Sequence, residues 1–146
     1  NLCPAEAARD AENYLQQHRV RLRTYQGRLN LLDRAVESDG TLDFVEEARC
    51  GFVAFSPLAQ GLLTNRYLHG IPADYRMRTD VTLKEEVLTP ELMESLLRWQ
   101  QEAESEGLTL SQFALRWVLR HSAVTSVIVG VSRLEQLQEN LSLIKP

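Results

Sequence analysis

Cysteine is scarce in this 146-residue chain, which contains only Cys3 and Cys50. Two cysteines are too few for a disulfide framework and lack the paired spacing of a zinc site, so we expect both to be packing residues. No apolar run approaches the roughly 20 residues that a membrane-spanning helix needs. The amino terminus also lacks the basic and then apolar segments of a secretion signal. These absences predict a cytoplasmic protein with no membrane partner.

Basic residues are not in excess. The 16 Lys and Arg residues against 20 Asp and Glu residues give a formal net charge of -4 at pH 7. Because binding to a phosphate backbone requires a basic surface, we expect no nucleic-acid partner. The one basic cluster consists of Arg19, Arg21, Arg23 and Arg28. Three of these arginines alternate along a strand-like segment, which indicates a polar face covered by solvent or by a partner.

The composition is that of a globular domain, with 44% hydrophobic and 25% charged residues. Hydrophobic periodicity predicts the order helix, strand, helices, strand, long loop, two helices, strand, helix. Such alternation predicts an α/β fold with parallel strands and right-handed crossovers. The expected strands are Val20–Gln26, Phe52–Phe55 and Val124–Val129, and the expected helices are Pro4–Gln17, two short ones at Leu29–Val36 and Leu42–Val45, one from Pro90 to Gly107, one from Leu110 to Val118 and one from Leu134 to Leu141.

Capping residues mark the later helices. Thr89 precedes a proline, and Thr109 and Ser132 each open a capping-box pattern. The helix after Thr89 is expected to bury Leu92, Met93, Leu96 and Leu97, and the helix after Thr109 to bury Leu110, Phe113, Ala114, Trp117 and Val118. Residues 57 to 89 lack periodicity, which predicts a long loop with a short helical piece at Leu62–Tyr67.

The stretch from Gly51 to Gly61 is expected to organise the fold. The run Phe52–Phe55 suits a strand buried on both faces. Ser56-Pro57 ends the strand, because proline lacks the backbone donor that a sheet needs, and Gly61 allows the backbone to bend or to approach a ligand closely. In α/β folds, binding sites lie at the carboxyl ends of the strands. The sequence therefore predicts a site at this loop.

A second candidate site follows the last strand. Gly130 precedes a helix start that carries Ser132 and Arg133, so unpaired amide donors, the helix dipole and a cationic side chain are expected at one place. In βα barrels the loops after the seventh and eighth strands frequently form a phosphate site. The alternative is that Ser132 merely caps its helix.

Catalytic patterns are harder to find. His18, His69 and His121 fall at helix ends or in loops, and Lys84 and Lys145 are not at strand ends. Zinc, Walker and G-x-S-x-G patterns do not occur. From the residues alone, the chain has a phosphate-type binding edge without a recognisable catalyst.

Four motifs, in order, resemble the aldo-keto reductases, in particular the branch with the potassium-channel β subunits and the bacterial glyceraldehyde-phosphate-type reductases. The motifs are Asn1 as part of a Ser-Asn pair, Y-Q-G-R-L-N-L-L-D-R from Tyr25, A-F-S-P-L-A-Q-G-L-L-T from Ala54 with R-Y and G-I-P-A-D-Y-R after it, and V-T-S-V-I-V-G-V-S-R-L-E-Q-L-Q-E-N ending at Asn140. The resemblance implies a (β/α)8 TIM barrel and NADP(H)-dependent carbonyl reduction.

The resemblance also implies roles for residues. Asn1 and Gln26 would hold the nicotinamide carboxamide, Phe55 would stack on the nicotinamide ring, and Arg76 would close over the cofactor. The pyrophosphate would be lined by Ser56, Pro57, Leu58, Gln60, Gly61 and Arg66, and the adenosine and its 2′-phosphate by Gly130, Ser132, Arg133, Gln136, Glu139 and Asn140. The chain departs from the family pattern at two of these places. Tyr75 replaces the serine that usually precedes the arginine, which affects closure over the cofactor. Many members have tyrosine or tryptophan in place of Phe55, which affects stacking on the nicotinamide.

The family's catalytic aspartate, tyrosine, lysine and histidine belong to the first four barrel strands, which no segment here resembles. The resemblance therefore implies the carboxyl-terminal half of a barrel, with strands six to eight and their helices. Two alternatives remain: the cofactor-binding half of a reductase acting on a small carbonyl, or a non-enzymatic cofactor-binding or interaction module or a degenerate remnant. The half-barrel would be closed by a missing amino-terminal half or by a second copy.

Overall fold

The computed structural model describes residues 5–68 and 88–144, in which helices alternate with parallel strands. The elements are α1 (Ala5–Gln17), β1 (Thr24–Arg28), α2 (Thr41–Glu47), β2 (Gly51–Phe55), α3 (Pro90–Ser105), α4 (Leu110–Leu119), β3 (Val124–Ile128) and α5 (Leu134–Leu141). Short 3-10 helices lie at Ala35–Glu37, Ala59–Gly61, Asn65–Tyr67 and Ser142–Ile144. In the described ranges, no helix has both the length and the apolar character needed to cross a membrane.

The three strands form one parallel sheet in the order β1-β2-β3. Tyr25 pairs with Phe52, and Phe52 pairs with Val124. The register shifts by one residue after Phe52, where the Thr125 hydroxyl donates a hydrogen bond of 3.1 Å to the Phe52 carbonyl. The α/β prediction with parallel strands is confirmed.

The two faces of the sheet differ in burial. One face packs into the core through Tyr25, Gly27, Phe52, Ala54 and Val124. Because successive side chains of a strand point to opposite faces, the alternate residues share the other face. We call that face the open face; it consists of Gln26, Arg28, Val53, Phe55, Ser126 and Ile128. The run Phe52–Phe55, expected to be buried on both faces, is fully buried on one face only: Phe52 and Ala54 are buried, whereas Val53 and Phe55 on the open face are partly exposed. On the neighbouring strand Ile128 is 50% exposed.

The described residues up to Pro57, together with Leu115–Gly130, form one compact unit, which we call the sheet unit. Its core is aromatic: the Tyr25 ring centroid lies 6.1 Å from that of Phe44, edge to face, and 6.1 Å from that of Phe52, stacked. Helix α1 adds Ala8 and helix α4 adds Val118 to the same cluster. This core lies on one face of the sheet and leaves the open face for other contacts.

The boundaries of β1 differ from the expected Val20–Gln26, and Gly27 lies inside the strand rather than interrupting it. A Cβ atom at Gly27 would lie 2.7 Å from the Phe52 ring. Glycine is therefore needed at this position of β1, because the Phe52 ring packs against it. The residues before β1 bond to α1 instead: Val20 N donates to the Leu15 carbonyl, and Leu22 N donates to the Glu12 carboxylate. These bonds hold the segment outside the sheet.

The described residues of Leu58–Ala114 and Val131–Pro146 belong to a second compact unit, which we call the loop-and-helix unit. The Thr89 hydroxyl accepts from Leu92 N at 3.3 Å, which confirms the predicted start of α3. Thr109 and Gln112 form the predicted reciprocal capping box of α4, with bonds of 3.0 and 3.2 Å. The N-cap position of helix α5 is Arg133, one residue after the predicted Ser132, and the side chain that accepts the amides there is that of Gln136.

Several smaller predictions need correction. Leu97 is 48% exposed on α3, and Trp117 is only half-buried on α4, where Leu115 is buried instead. The helix expected at Leu29–Val36 is a turn followed by the 3-10 helix Ala35–Glu37. Around the predicted helical piece at Leu62–Tyr67 the structure has 3-10 helices at Ala59–Gly61 and Asn65–Tyr67.

Candidate functional site

The carboxyl edge of the sheet brings three side chains side by side. Arg28, Phe55 and Ile128 are the last residues of their strands and pair across the sheet in that order. The Arg28 guanidinium carbon lies 5.6 Å from the Phe55 ring centroid, and Arg28 Nη1 lies 3.5 Å from Asp33 Oδ2. At such partly exposed positions a cation over an aromatic ring contributes about 0.5–1 kcal/mol. The Phe55 ring is therefore held against a charged neighbour at the predicted site.

Asn30 lies under this edge and was missed by the sequence analysis. Its side chain is buried, with 2% of the residue exposed. Asn30 Nδ2 donates to the Ser56 carbonyl at 3.0 Å, and Asn30 Oδ1 accepts from Leu32 N at 2.9 Å and from Asp33 N at 2.8 Å. The available signal was a single amide within an otherwise apolar Leu29-Asn30-Leu31-Leu32 run.

The loop after β2 concentrates left-handed backbone. Ser56 has φ 52°, Ala59 φ 46°, Gln60 φ 58° and Gly61 φ 95°. Non-glycine residues adopt such angles uncommonly, and residues held in sparsely populated backbone regions cost about 1–3 kcal/mol each and cluster at ligand-binding and active sites. This strain is independent support for a functional loop at the place that the sequence predicts.

Within the loop-and-helix unit, local bonds hold the second part of this loop. Gly61 N donates to the Leu58 carbonyl at 2.8 Å, and the Thr64 hydroxyl donates to the Gly61 carbonyl at 2.7 Å. Leu62 and Tyr67 are buried in a small cluster that anchors the segment. The exposed Gln60 and Arg66 lie at either end of that anchored stretch.

The start of α5 was predicted as an anion site. Gln136 Oε1 accepts from Ser132 N at 2.9 Å and from Arg133 N at 3.2 Å. The same two amides are the donors that an anion would need, so a phosphate oxygen would have to replace Gln136 Oε1. Arg133 itself is exposed, and its side chain can meet a ligand from solvent.

Glu139, further along α5, is already engaged. Its carboxylate accepts from the Thr109 hydroxyl at 2.5 Å, and its backbone carbonyl accepts from Gln112 Nε2 at 3.2 Å. These contacts fix α5 against the start of α4 within the loop-and-helix unit. Asn140, the next predicted ligand residue, is partly buried on the same helix.

The predicted site residues divide between the two units. Asn1 and Arg76 lie outside the described residues. The sheet unit contains Gln26, Phe55, Ser56, Pro57 and Gly130, and it places Gln26 and Phe55 on the open face. The loop-and-helix unit contains Leu58, Gln60, Gly61, Arg66, Ser132, Arg133, Gln136, Glu139 and Asn140.

Among the described residues, the titratable groups away from this edge do not form a catalytic arrangement. His18 follows α1 beside Tyr14, and His121 precedes β3, where it pairs with Glu37 at 3.0 Å. Burial raises the pKa of the Cys50 thiol, which suits a packing residue and not a nucleophile. Among the residues that the structure describes, no group of His, Cys, Asp and Glu could hold a metal ion.

Comparison with known proteins identifies the class. The model of the Aldo/keto reductase family matches residues 3–145, so the chain belongs to this family. Its parallel strands and alternating helices are consistent with part of the family's (β/α)8 barrel. The resemblance that the sequence motifs suggested is thereby confirmed.

Among individual relatives, the chain is 41% identical over 131 residues to L-glyceraldehyde 3-phosphate reductase of Escherichia coli (strain K12) and 42% identical over 131 residues to that of Escherichia coli O157:H7. Each match covers 87% of this chain and 38% of the relative. A putative voltage-gated potassium channel subunit beta of Schizosaccharomyces pombe is 36% identical over 99 residues, which are 65% of this chain and 29% of that relative. The chain thus spans well under half the length of these relatives.

Proposed function

We propose that this chain supplies the cofactor-binding half of an NADPH-dependent aldo-keto reductase, with β1, β2 and β3 as the sixth to eighth strands of the barrel. The observation that carries the proposal is the carboxyl end of β2, where Phe55 on the open face leads into the left-handed loop at Ser56. Family membership and the reductase relatives support the same function.

The residues present fit a nicotinamide cofactor in two separate places. Gln26 and Phe55 share the open face, so an amide and an aromatic ring are available for the nicotinamide end. The fit at α5 is conditional, because Gln136 must release the Ser132 and Arg133 amides before they can bind a phosphate. Arg133 adds the charge that a 2′-phosphate would require. Asn1 and Arg76 join this proposal through the family resemblance alone.

The hydride for carbonyl reduction comes from NADPH when that cofactor is bound. The role of this chain is to orient and bind, because the described residues at the carboxyl edge include no tyrosine, lysine or histidine. We propose that the catalytic tetrad lies in other segments of the complete protein and that this chain alone does not reduce carbonyls. A small aldehyde, such as the phosphorylated one in the reductases' name, is the substrate class to test.

The test uses the intact protein, meaning this chain together with the segments proposed to contain the catalytic tetrad. It is titrated directly with NADPH and with NADH and is then assayed by spectrophotometry for NADPH oxidation with small aldehydes. The proposal expects binding and turnover. Absence of NADPH binding would overturn it. Binding without turnover would favour the second candidate, a non-enzymatic cofactor-binding or interaction module. The observation in favour of that candidate is that one relative is named as a putative channel subunit and not as an enzyme.

A further inference from the structure

The buried amide of Asn30 joins two turns that are distant in the chain. Asn30 Nδ2 donates to the Ser56 carbonyl, 26 positions further along, at 3.0 Å. Its Oδ1 accepts the backbone amides of Leu32 and Asp33, so both ends of the side-chain amide are bonded. A buried polar group that lost such a partner would be left unsatisfied, which is costly. The contact therefore strongly restricts where the Ser56 carbonyl can lie.

Ser56 needs that restriction. Its φ of 52° lies in the left-handed region, which a serine leaves readily when nothing holds it there. Rotation toward extended backbone would carry the Ser56 carbonyl away from Asn30 and leave the buried Nδ2 without an acceptor. The Asn30 amide thus opposes relaxation of the first residue of the loop.

Asn30 is also linked to the Phe55 ring through a series of contacts. Its Oδ1 holds the backbone of Asp33, the Asp33 carboxylate pairs with Arg28, and the Arg28 guanidinium lies over the Phe55 ring. One side chain therefore bonds directly to the backbone after Phe55 and is linked, through Asp33, to the cation beside the Phe55 ring. All of these residues belong to the sheet unit.

We infer that Asn30 is a positioning residue for the nicotinamide end of the cofactor site: it holds Phe55 and Ser56 in the conformation that binds the cofactor. The inference rests on the proposed function, because it presupposes that Phe55 and Ser56 contact a nicotinamide nucleotide.

Asn30→Asp in the intact protein provides the sharpest test, because it is isosteric and keeps the acceptor oxygen for Leu32 and Asp33. It replaces the Nδ2 donor with a second oxygen that faces the Ser56 carbonyl. When ionised, that oxygen repels the carbonyl, and when protonated it can donate to it again. Burial and the facing Ser56 carbonyl favour the protonated carboxyl, while the amides of Leu32 and Asp33 favour the ionised one. Because the protonated form can keep all three contacts and the ionised form loses the one to Ser56, protonation at mildly acidic pH is expected to restore that contact.

The measurement is calorimetric titration with NADP⁺, which is stable in acid, at about pH 8 and about pH 5.5. We expect Asn30→Asp to raise the Kd roughly tenfold relative to the wild-type protein at the higher pH, and the ratio of the two Kd values to fall toward one at the lower pH. Taking the ratio at each pH removes the titration of the nucleotide's own phosphate.

Two further variants keep the result interpretable. Asn30→Ser retains a turn-forming oxygen but no amide donor and no charge, so it should raise the Kd at both pH values. Val45→Ala, on α2 in the same core cluster, is a control for general loss of stability and should leave the Kd unchanged. Thermal unfolding of each variant gives its loss of stability, so that the Kd values of the Asn30 variants can be compared with that of Val45→Ala at a similar loss.

The outcomes separate the two proposals. If Asn30→Asp and Asn30→Ser lower the melting temperature as Val45→Ala does but leave the Kd unchanged, the positioning role is overturned while the proposed function stands. If the wild-type protein binds no NADP⁺ at either pH, the proposed function fails and the inference fails with it. If Asn30→Asp does not fold, Asn30→Ser decides the matter alone.

Discussion

The guanidinium of Arg28 lies over the ring of Phe55, with its central carbon 5.6 Å from the ring centroid. These residues end neighbouring parallel strands, so their contact lies at the edge where this family is expected to bind its cofactor. Phe55→Ala in the intact protein should weaken NADPH binding by up to about tenfold, while Phe55→Tyr should be close to neutral, because stacking needs a ring and not a hydroxyl. Fluorescence titration measures this. If Phe55→Ala unfolds the protein without a separate binding defect, Phe55 is a core residue.

Arg133, the cap residue of α5, should select NADPH over NADH. Charge-assisted bonds to phosphate contribute about 1.5–3 kcal/mol, so Arg133→Ala should raise the Kd for NADPH roughly tenfold or more and leave that for NADH nearly unchanged. Arg98→Ala removes the same charge from α3 and serves as a control. An equal loss of affinity for both cofactors would remove the claim of specificity.

Gly27 should tolerate no side chain. A methyl group there would lie 2.7 and 2.8 Å from two atoms of the fully buried Phe52 ring, so Gly27→Ala should lower the free energy of unfolding by about 1–3 kcal/mol. Gly130→Ala is the matched control, because no atom lies within 4 Å of the added carbon. Denaturant titration of both variants gives the comparison, and equal stabilities would mean that the strand adjusts around the new group.

Glu12 should make the stability of α1 depend on pH. The side-chain bond from Gln16, then the backbone bond from Leu22, hold the pKa of the Glu12 carboxyl below its ordinary value. A lowered folded-state pKa stabilises the fold above the ordinary pKa of glutamate, and this stability is lost as the pH falls through the folded pKa.

The measurement is urea unfolding of the wild-type protein and of Glu12→Gln, from neutral pH down through the lowered pKa of Glu12. The wild-type advantage should be largest near neutral pH and should shrink on acidification. Gln16→Ala removes one of the two donors and should reduce the pH-dependent difference without abolishing it. A difference that stays constant with pH would contradict the assignment to the Glu12 carboxylate.

The chain produced by itself should self-associate. In the described sheet β1 and β3 have no further strand beside them, and the open face carries the half-exposed Ile128. Unpaired edges and apolar surface favour association, for this chain by itself through a second copy. Light scattering after size-exclusion chromatography should detect larger species, and Ile128→Lys should raise the monomer fraction. A monomer that reduces aldehydes would show that the catalytic groups are in this chain after all.

Much of the fold follows from local sequence. Thr89 with Pro90 and Thr109 with Gln112 fix helix starts through bonds within a single turn, so those predictions are confirmed. The extent of β1 could not be predicted, because it depends on the Phe52 ring packing over Gly27 from another strand. Likewise, the sequence of the strands does not say whether another part of the protein or a partner covers the open face, so the exposure of that face could not be predicted.

In the candidate site, too, features that depend on local sequence were predicted and features that depend on distant residues were not. The position of Phe55 and Ser56 at a strand end follows from the apolar run and the proline after it, and the structure places both there. Asn30 could not be predicted, since its partner carbonyl is 26 residues away and the bond forms only when β1 and β2 pair. Gln136 was predicted as a site residue, but its bonds to the Ser132 and Arg133 amides were not predicted.

The division of the sheet into a packed face and an open face has an evolutionary consequence. Along β2, Phe52 and Ala54 are constrained by the fold, while Val53 and Phe55 face outward from that core. Selection for folding and selection for ligand preference therefore act on alternate residues of one five-residue strand. If the proposed cofactor site is correct, ligand preference can then diverge by substitutions at residues 53 and 55 while the hydrophobic core stays unchanged.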